Sequence, residues 1–406
     1  MTQPLSRQGQ QGAVPVTIVV AVAAVVLGLI VTMNALSAYR TDVAQRGWDE
    51  VFGTWDEIMQ RYPATQVNAS ALELERLAAR LGVNITPRNA ERREALENEQ
   101  IATIDPELQA TFYNYGKTQM ERARHGEIDA PPPDFQSYIT ANDEDLIALR
   151  RHLNRGDTPV WLADISWIQA APIPNLLGHI HLQKLLTSVA LARLQAGDRT
   201  GAVADVEAAW ELSRSLRDSP FLISQLILVA GTRMQVGVLR HFHDLDEVWL
   251  DRLAEHDFRE SFITAMKFEG RFWLRYPEAE YWRNEEPVWR RVTSPVMQPY
   301  TQLCLADLSD EWRERLVKME QVDALCDRDL APYGASLDIQ LPRWNMVGDY
   351  YFPSLLGAID RLARLELDIE LTSLLIEADA ERRDHGGTWP ESDLVVRPSI
   401  DRKSVV

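Results

Sequence analysis

The sequence predicts a mainly α-helical protein: a single N-terminal transmembrane helix followed by an irregular, α-solenoid-like domain. Three observations carry that expectation. An uncharged apolar run lies near the N-terminus, apolar residues recur at helical spacing through most of the remainder, and a helix–Gly-Asp–helix pattern stands mid-chain.

Residues 13–36 read AVPVTIVVAVAAVVLGLIVTMNAL, with no charge among them. About 20 apolar residues suffice for a helix to cross the hydrocarbon core, where the helix satisfies its own backbone groups. The apolar stretch of a cleaved signal peptide is shorter, about 7–15 residues, and Ala35-Leu36-Ser37 is only a loose small-x-small cleavage match. The expectation is an uncleaved anchor that meets membrane lipid through residues 13–36, behind a polar tail of residues 1–12. The flanking charges, Arg7 on one side and Arg40, Arg46, Asp42, Asp49 and Glu50 on the other, are close to neutral on the positive-inside count. Large domains translocate largely regardless of such charges. The expected layout is therefore a single-pass protein of the inner membrane, its tail cytoplasmic and its large domain extracytoplasmic. A second apolar stretch, PFLISQLILVA at 220–230, is too short to span and suits a buried core helix.

Composition narrows the partners. The chain has 406 residues, 46% of them hydrophobic, enough to build a core, and a formal net charge of −18. Affinity for nucleic acid comes from Lys and Arg on phosphates, so no nucleic-acid partner is expected; other envelope proteins are. Cys304 and Cys326 are the two cysteines and form no CxxC pair, so a zinc ribbon or thioredoxin-like site is excluded. Two small buried hydrophobes is their simpler reading; pairing in an oxidising compartment is the other.

Helix signals follow in order. Residues 37–125 are expected to form a stalk and N-terminal helices. Val43, Trp48, Val51, Phe52, Trp55 and Ile58 would be the stalk's apolar positions and Pro63 its stop. Leu72, Leu74, Leu77 and Leu81 mark a helix over 70–81, closed by Gly82. Another helix covers 106–124, and GEIDAPPPDF at 126–135 reads as a Pro-rich linker. Residues 136–400 then form the main α-helical domain. Its first helix, 142–154, begins acidic and ends basic, as the helix dipole favours. Ser219-Pro220 suggests a capped helix start, and Asp257-Phe-Arg-Glu260 an Asp variant of the capping box. Residues 283–300, with three prolines, look irregular; 310–328 and 353–383 look helical, with a non-helical stretch at 331–352 between them.

In residues 183–217, QKLLTSVALARLQAGDRTGAVADVEAAWELSRSLR, two helical stretches flank Gly197-Asp198, and Ala190, Ala202 and Ala209 recur where helices pack closely. The segment resembles one tetratricopeptide (TPR) hairpin, although Arg193 stands where the family has an aromatic and the closing proline comes late, at Pro220. Together with HGGTWPES near the end, the LARLQAGDRTGAVADVEAAWELSRSLRDSPFLISQL stretch is similar to a class of bacterial membrane-anchored helical proteins without a settled activity. HGGTWPES also resembles a segment of pseudopilin-like envelope proteins, where more chain follows. These resemblances imply architecture, not chemistry.

Chemical motifs are sparse. His179-x-His181 and His241-x-His243 are the His pairs, but residues two apart point to different faces of a helix, so surface or capping roles are expected and no metal. FEGRFWLRYPEAEYW at 268–282 sets Glu269, Glu278 and Glu280 among aromatics. Paired carboxylates beside aromatic platforms suit a glycosidase cleft; they suit an amphipathic packing seam equally. WLADISW at 161–167 reads as core packing with a capping Asp. No nucleophile elbow, phosphate loop, dinucleotide fingerprint or HExxH occurs, so no cofactor is expected. The functional expectation is a membrane-anchored envelope protein whose helical domain serves interaction or scaffolding. The alternative is a helical hydrolase of an envelope polymer using carboxylates in 268–286. Asn68-Ala-Ser and Asn84-Ile-Thr match glycosylation sequons by composition alone. The last six residues, DRKSVV, match the translation of a common short-read sequencing adapter, so 401–406 is expected to be non-native and the natural chain longer.

Overall fold

A computed structural model describes residues 13–86, 104–122, 128–165, 174–275, 288–321, 341–346 and 355–386. It bears out a mainly α fold with one N-terminal helix long and apolar enough to cross a membrane. Among the described residues the only β pairing is an isolated antiparallel bridge, Thr65–Ala163.

Helix α1, Ala13–Phe52, has two halves. The described side chains of the apolar run are exposed except for half-buried Ile30 and Met33, while beyond it Ser37, Ala44 and Trp48 are buried on one face. That spacing of 7 and 4 residues is one helical stripe. The stripe lies along α12, Val288–Glu320. The pairings run in the same direction on both helices: Ser37 Oγ meets Gln302 at 3.2 Å, and Arg40 meets Asp307 at 2.6 Å. Further along, Trp48 Nε1 donates to Ser309 Oγ at 2.7 Å. The expected stalk is therefore corrected: residues 37–52 are part of the core. Val51 faces outward, and small Ser37 and Ala44 take the inner positions because α12 lies close. The helix also ends before Pro63. Gly53 (φ +83°) breaks it, a left-handed conformation that side chains disfavour. Thr54 and Glu57 then form a capping box for α2, Trp55–Arg61.

Helix α3, Ala69–Arg80, is capped by Asn68, whose side chain also holds Thr158 and Val160. Its amide is thus engaged at both ends, the nitrogen donating to Thr158 O and the oxygen accepting from Ala71 N and Val160 N. Gly82 follows the C-cap as expected, whereas Leu72 points to solvent. Helices α4 (Pro106–Arg122), α5 (Pro133–Ala141) and α6 (Asp143–Leu153) come next. The described part of the expected linker, 128–135, is tied down rather than free: Asp129 exchanges hydrogen bonds with Gln119, Tyr115 donates to its carbonyl, and Pro133 opens α5.

The expected helix–Gly-Asp–helix pair is present. Helix α7, Leu176–Gln195, turns at Gly197 (φ +84°), and Asp198 caps α8, Arg199–Arg214, by accepting from Gly201 N at 2.9 Å. Helix α9, Leu222–Leu239, carries the second apolar stretch and is the central helix, packed on α7, α8, α11 (Phe258–Arg275) and α13 (Leu355–Asp384). Its N-cap is Phe221, not Ser219. The Gln225 amide holds the carbonyls of Leu216, Arg217 and Ser219, so the turn is tied from inside the next helix. A buried amide cluster fixes the register of three helices. Gln235 Nε2 on α9 reaches Gln183 Oε1 at 2.8 Å and Ser213 Oγ at 2.7 Å, and Gln183 Nε2 reaches Ala209 O at 2.9 Å. Helix α10, Val248–Ala254, leads into α11, where Glu260 N donates to Asp257 as expected.

One further correction concerns 283–300. Helix α12 starts at Val288 and runs through Pro295 and Pro299. Each proline removes one backbone donor, and the long packed stretch that follows keeps the helix continuous. Residues 283–287, 322–340, 347–354 and 387–406 lie outside the described residues.

Candidate functional site

Helix α13 carries two apolar stripes. Leu362, Leu365, Ile369, Thr372 and Ile376, spaced 3, 4, 3 and 4, are buried against the body. Leu367, Leu371 and Leu375 recur every fourth residue on the opposite side and are exposed. At 1.5 Å per residue that second stripe is about 12 Å long. The helix is held rigidly beneath it. Asp368 pairs with Arg233 at 3.0 Å and Arg240 at 2.5 Å, Arg240 also donates to Thr372, and Arg383 donates to Leu245 O. Arg361 and Arg364 are exposed on its N-terminal half, Glu377 and Glu381 on its C-terminal half. Exposed leucines at helical spacing on a fixed helix are what a partner helix can pack into.

Of the carboxylates singled out for chemistry, one lies among the described residues. Glu269 sits half-buried on α11, and burial alone pushes its carboxyl up to about 7. Glu278 and Glu280 lie outside the described residues. Arg271, two residues on, joins Asp49 at 2.7 Å and the Gly53 carbonyl, fastening the end of α1. The cavity there, lined by Gln45, Trp48, Asp49, Trp55, Arg271 and Leu274, encloses about 10 Å³, room for one water.

Two of the four histidines, His179 and His241, are buried against expectation, while His243 is exposed as expected. His179 is fully buried, edge-on to Trp161 at 4.8 Å, with neither ring nitrogen hydrogen-bonded. Burial lowers its pKa to about 4. His181 instead meets Gln109 at 2.8 Å, and His241 Nε2 meets Gln119 O at 3.0 Å. Among the described residues no group of three metal-ligating side chains forms. His179 shares the inward face of Leu176, Leu182, Leu186 and Ala190, and that spacing was the signal for a core histidine.

A buried ionic knot was missed entirely. Asp205 on α8 is fully buried, 3.0 Å from Arg193 Nε and 3.5 Å from Arg150. Burial raises its pKa to about 7 despite the pull of both guanidiniums. Arg193 also holds Asp143 at 2.8 Å and Asp198 at 3.2 Å, so it ties α6, α7 and α8 together. In WLADISW, Trp161 is buried and donates to Glu75 at 3.0 Å, while Trp167 lies outside the described residues. Cys304 is buried and Cys326 lies outside them.

No protein-family model, curated protein or solved structure matches the chain.

Proposed function

We propose that the protein is a single-pass, membrane-anchored envelope protein of bacterial type whose helical body, TPR-like at α7–α8, serves interaction or scaffolding. The single observation that carries this reading is the leucine stripe Leu367, Leu371 and Leu375, exposed on a helix fixed by partly buried ion pairs. A contiguous exposed apolar stripe marks a contact surface. The body lies outside the cytoplasm in this reading, with other envelope proteins as partners and the inner membrane as its address.

The test is a photo-crosslinking residue at Leu371 of the full-length chain in living cells, with exposed Arg151 as the comparison site. Discrete adducts are expected at 371, lost when Leu367 and Leu375 are changed to Glu. The same adducts at both sites, or none at 371, would count against the reading. A reporter fusion after Gly386 checks the side: alkaline phosphatase should be active, and a fluorescent protein that matures only in the cytoplasm should be dark.

A further inference from the structure

The register between α1 and α12 places one exposed aromatic cluster at a defined height. Ser37, the first residue beyond the apolar run, pairs with Gln302. Tyr300 and Cys304 stand two residues either side of Gln302, about 3 Å along the helix in each direction. Both hold the 341–346 segment. Tyr300 Oη donates to Trp344 O at 2.5 Å and accepts from Met346 N at 3.3 Å, and buried Asn345 donates to Cys304 O at 2.8 Å. Between these fixed points the segment turns Arg343, Trp344 and Met346 outward, with Trp344 47% and Met346 71% exposed. Met297, five residues toward the apolar end, is 52% exposed, and Tyr39 on α1, two residues beyond Ser37, is 62% exposed.

Short-range bonding along α1 fits a water-poor setting at this height. Thr32 Oγ1 donates to Gly28 O at 2.9 Å and Asn34 Nδ2 to Ile30 O at 2.8 Å, so each turns its donor back into its own helix. Residues 16 and 18–29 of α1 are exposed. Trp and Tyr are enriched where a helix passes from acyl chains to headgroups. Arginine at that level meets anionic phosphate.

We propose that this face, Tyr39, Met297, Arg343, Trp344 and Met346, rests in the headgroup–acyl boundary of the bilayer that α1 crosses. The body is then seated on the membrane rather than hung from it, with α13 presented at a fixed orientation. The occupant is lipid because the patch continues the apolar surface of α1 without a step in height. This inference rests on reading α1 as a membrane span, and the experiment separates the two.

The full-length chain carrying Cys326→Ser is given one new cysteine at a time, Met346→Cys, Leu27→Cys or Leu375→Cys, and labelled with a polarity-sensitive fluorophore. Each protein is placed in vesicles of zwitterionic and anionic phospholipid, with or without acyl chains brominated near the headgroup. The label at 346 is expected to be blue-shifted and to lose emission in brominated vesicles as the label at 27 does, while that at 375 loses none. Quenching at 27 but not at 346 overturns the seated face and leaves the anchor standing. Absence of quenching at both overturns the anchor and the proposal with it. Equal quenching at 346 and 375 overturns the proposal, because the face would then have no preference for lipid.

Discussion

His179 shows how one buried group sets pH behaviour. Its pKa is near 4 in the folded protein and near 6.5 in an unfolded chain. Above pH 6.5 both states are neutral there and nothing is lost. As pH falls from 6.5 toward 4, the unfolded chain takes up a proton that the folded one refuses, and stability falls by about 3 kcal/mol in all. His256, lowered to about 4 by burial and by Arg217, adds a loss of the same sign. His179→Leu is therefore predicted to leave stability at pH 7 unchanged or raised, since both ring nitrogens are buried without partners. The variant should then gain about 3 kcal/mol over the parent by pH 4, with the His256 loss still present. Urea unfolding of both proteins at several pH values measures it; parallel stability curves would contradict it. Such residues were only partly legible. The spacing of His179 with Leu176, Leu182 and Leu186 was there to be read. The burial of Asp205 was harder to see, because a carboxylate in an apolar run looks like a solvated turn of the helix until its two arginines arrive from α6 and α7.

Helices were the most legible level, and their ends the least. Gly82, Gly197-Asp198 and Asp257 mark ends that depend on local backbone chemistry, and all three were readable. The end of α1 at Gly53 was not, because Arg271, 218 residues away, holds the carbonyl there. The start of α9 was set by Gln225 rather than by the nearer Ser219, again a choice made by packing. The same limit explains α12, whose prolines argued for irregular chain until its contacts with α1 and α11 were seen. The crossing of these three helices is tightest at Gly270. Trp48 donates to Ser309, which donates to the Gly270 carbonyl at 3.1 Å. A Cβ at 270 would lie 2.5 Å from the Trp48 ring and 3.1 Å from Trp312. Gly270→Ala should cost about 1–3 kcal/mol, the usual range for overpacking. Thermal unfolding in detergent should show the loss as a lower midpoint; an unchanged midpoint would mean the three helices do not meet as described.

At the scale of the whole molecule, α1 is at once a candidate membrane span and a wall of the core. Its apolar half could be recognised from the sequence alone, since length and lack of charge suffice. Its second role could not, because α12 enters the chain some 250 residues later. The two roles bear on processing. The small-x-small match at residues 35–37 lies inside a continuous helix, with Ser37 buried against Gln302. Cleavage there would cut through the seam between anchor and body. The central claim, an uncleaved anchor continuous with the core, is tested most directly by peptide mapping of the protein from carbonate-washed membranes. The account predicts a chain that stays in the membrane pellet and still contains the 13–36 run. A soluble chain beginning at or beyond Ser37 would contradict it.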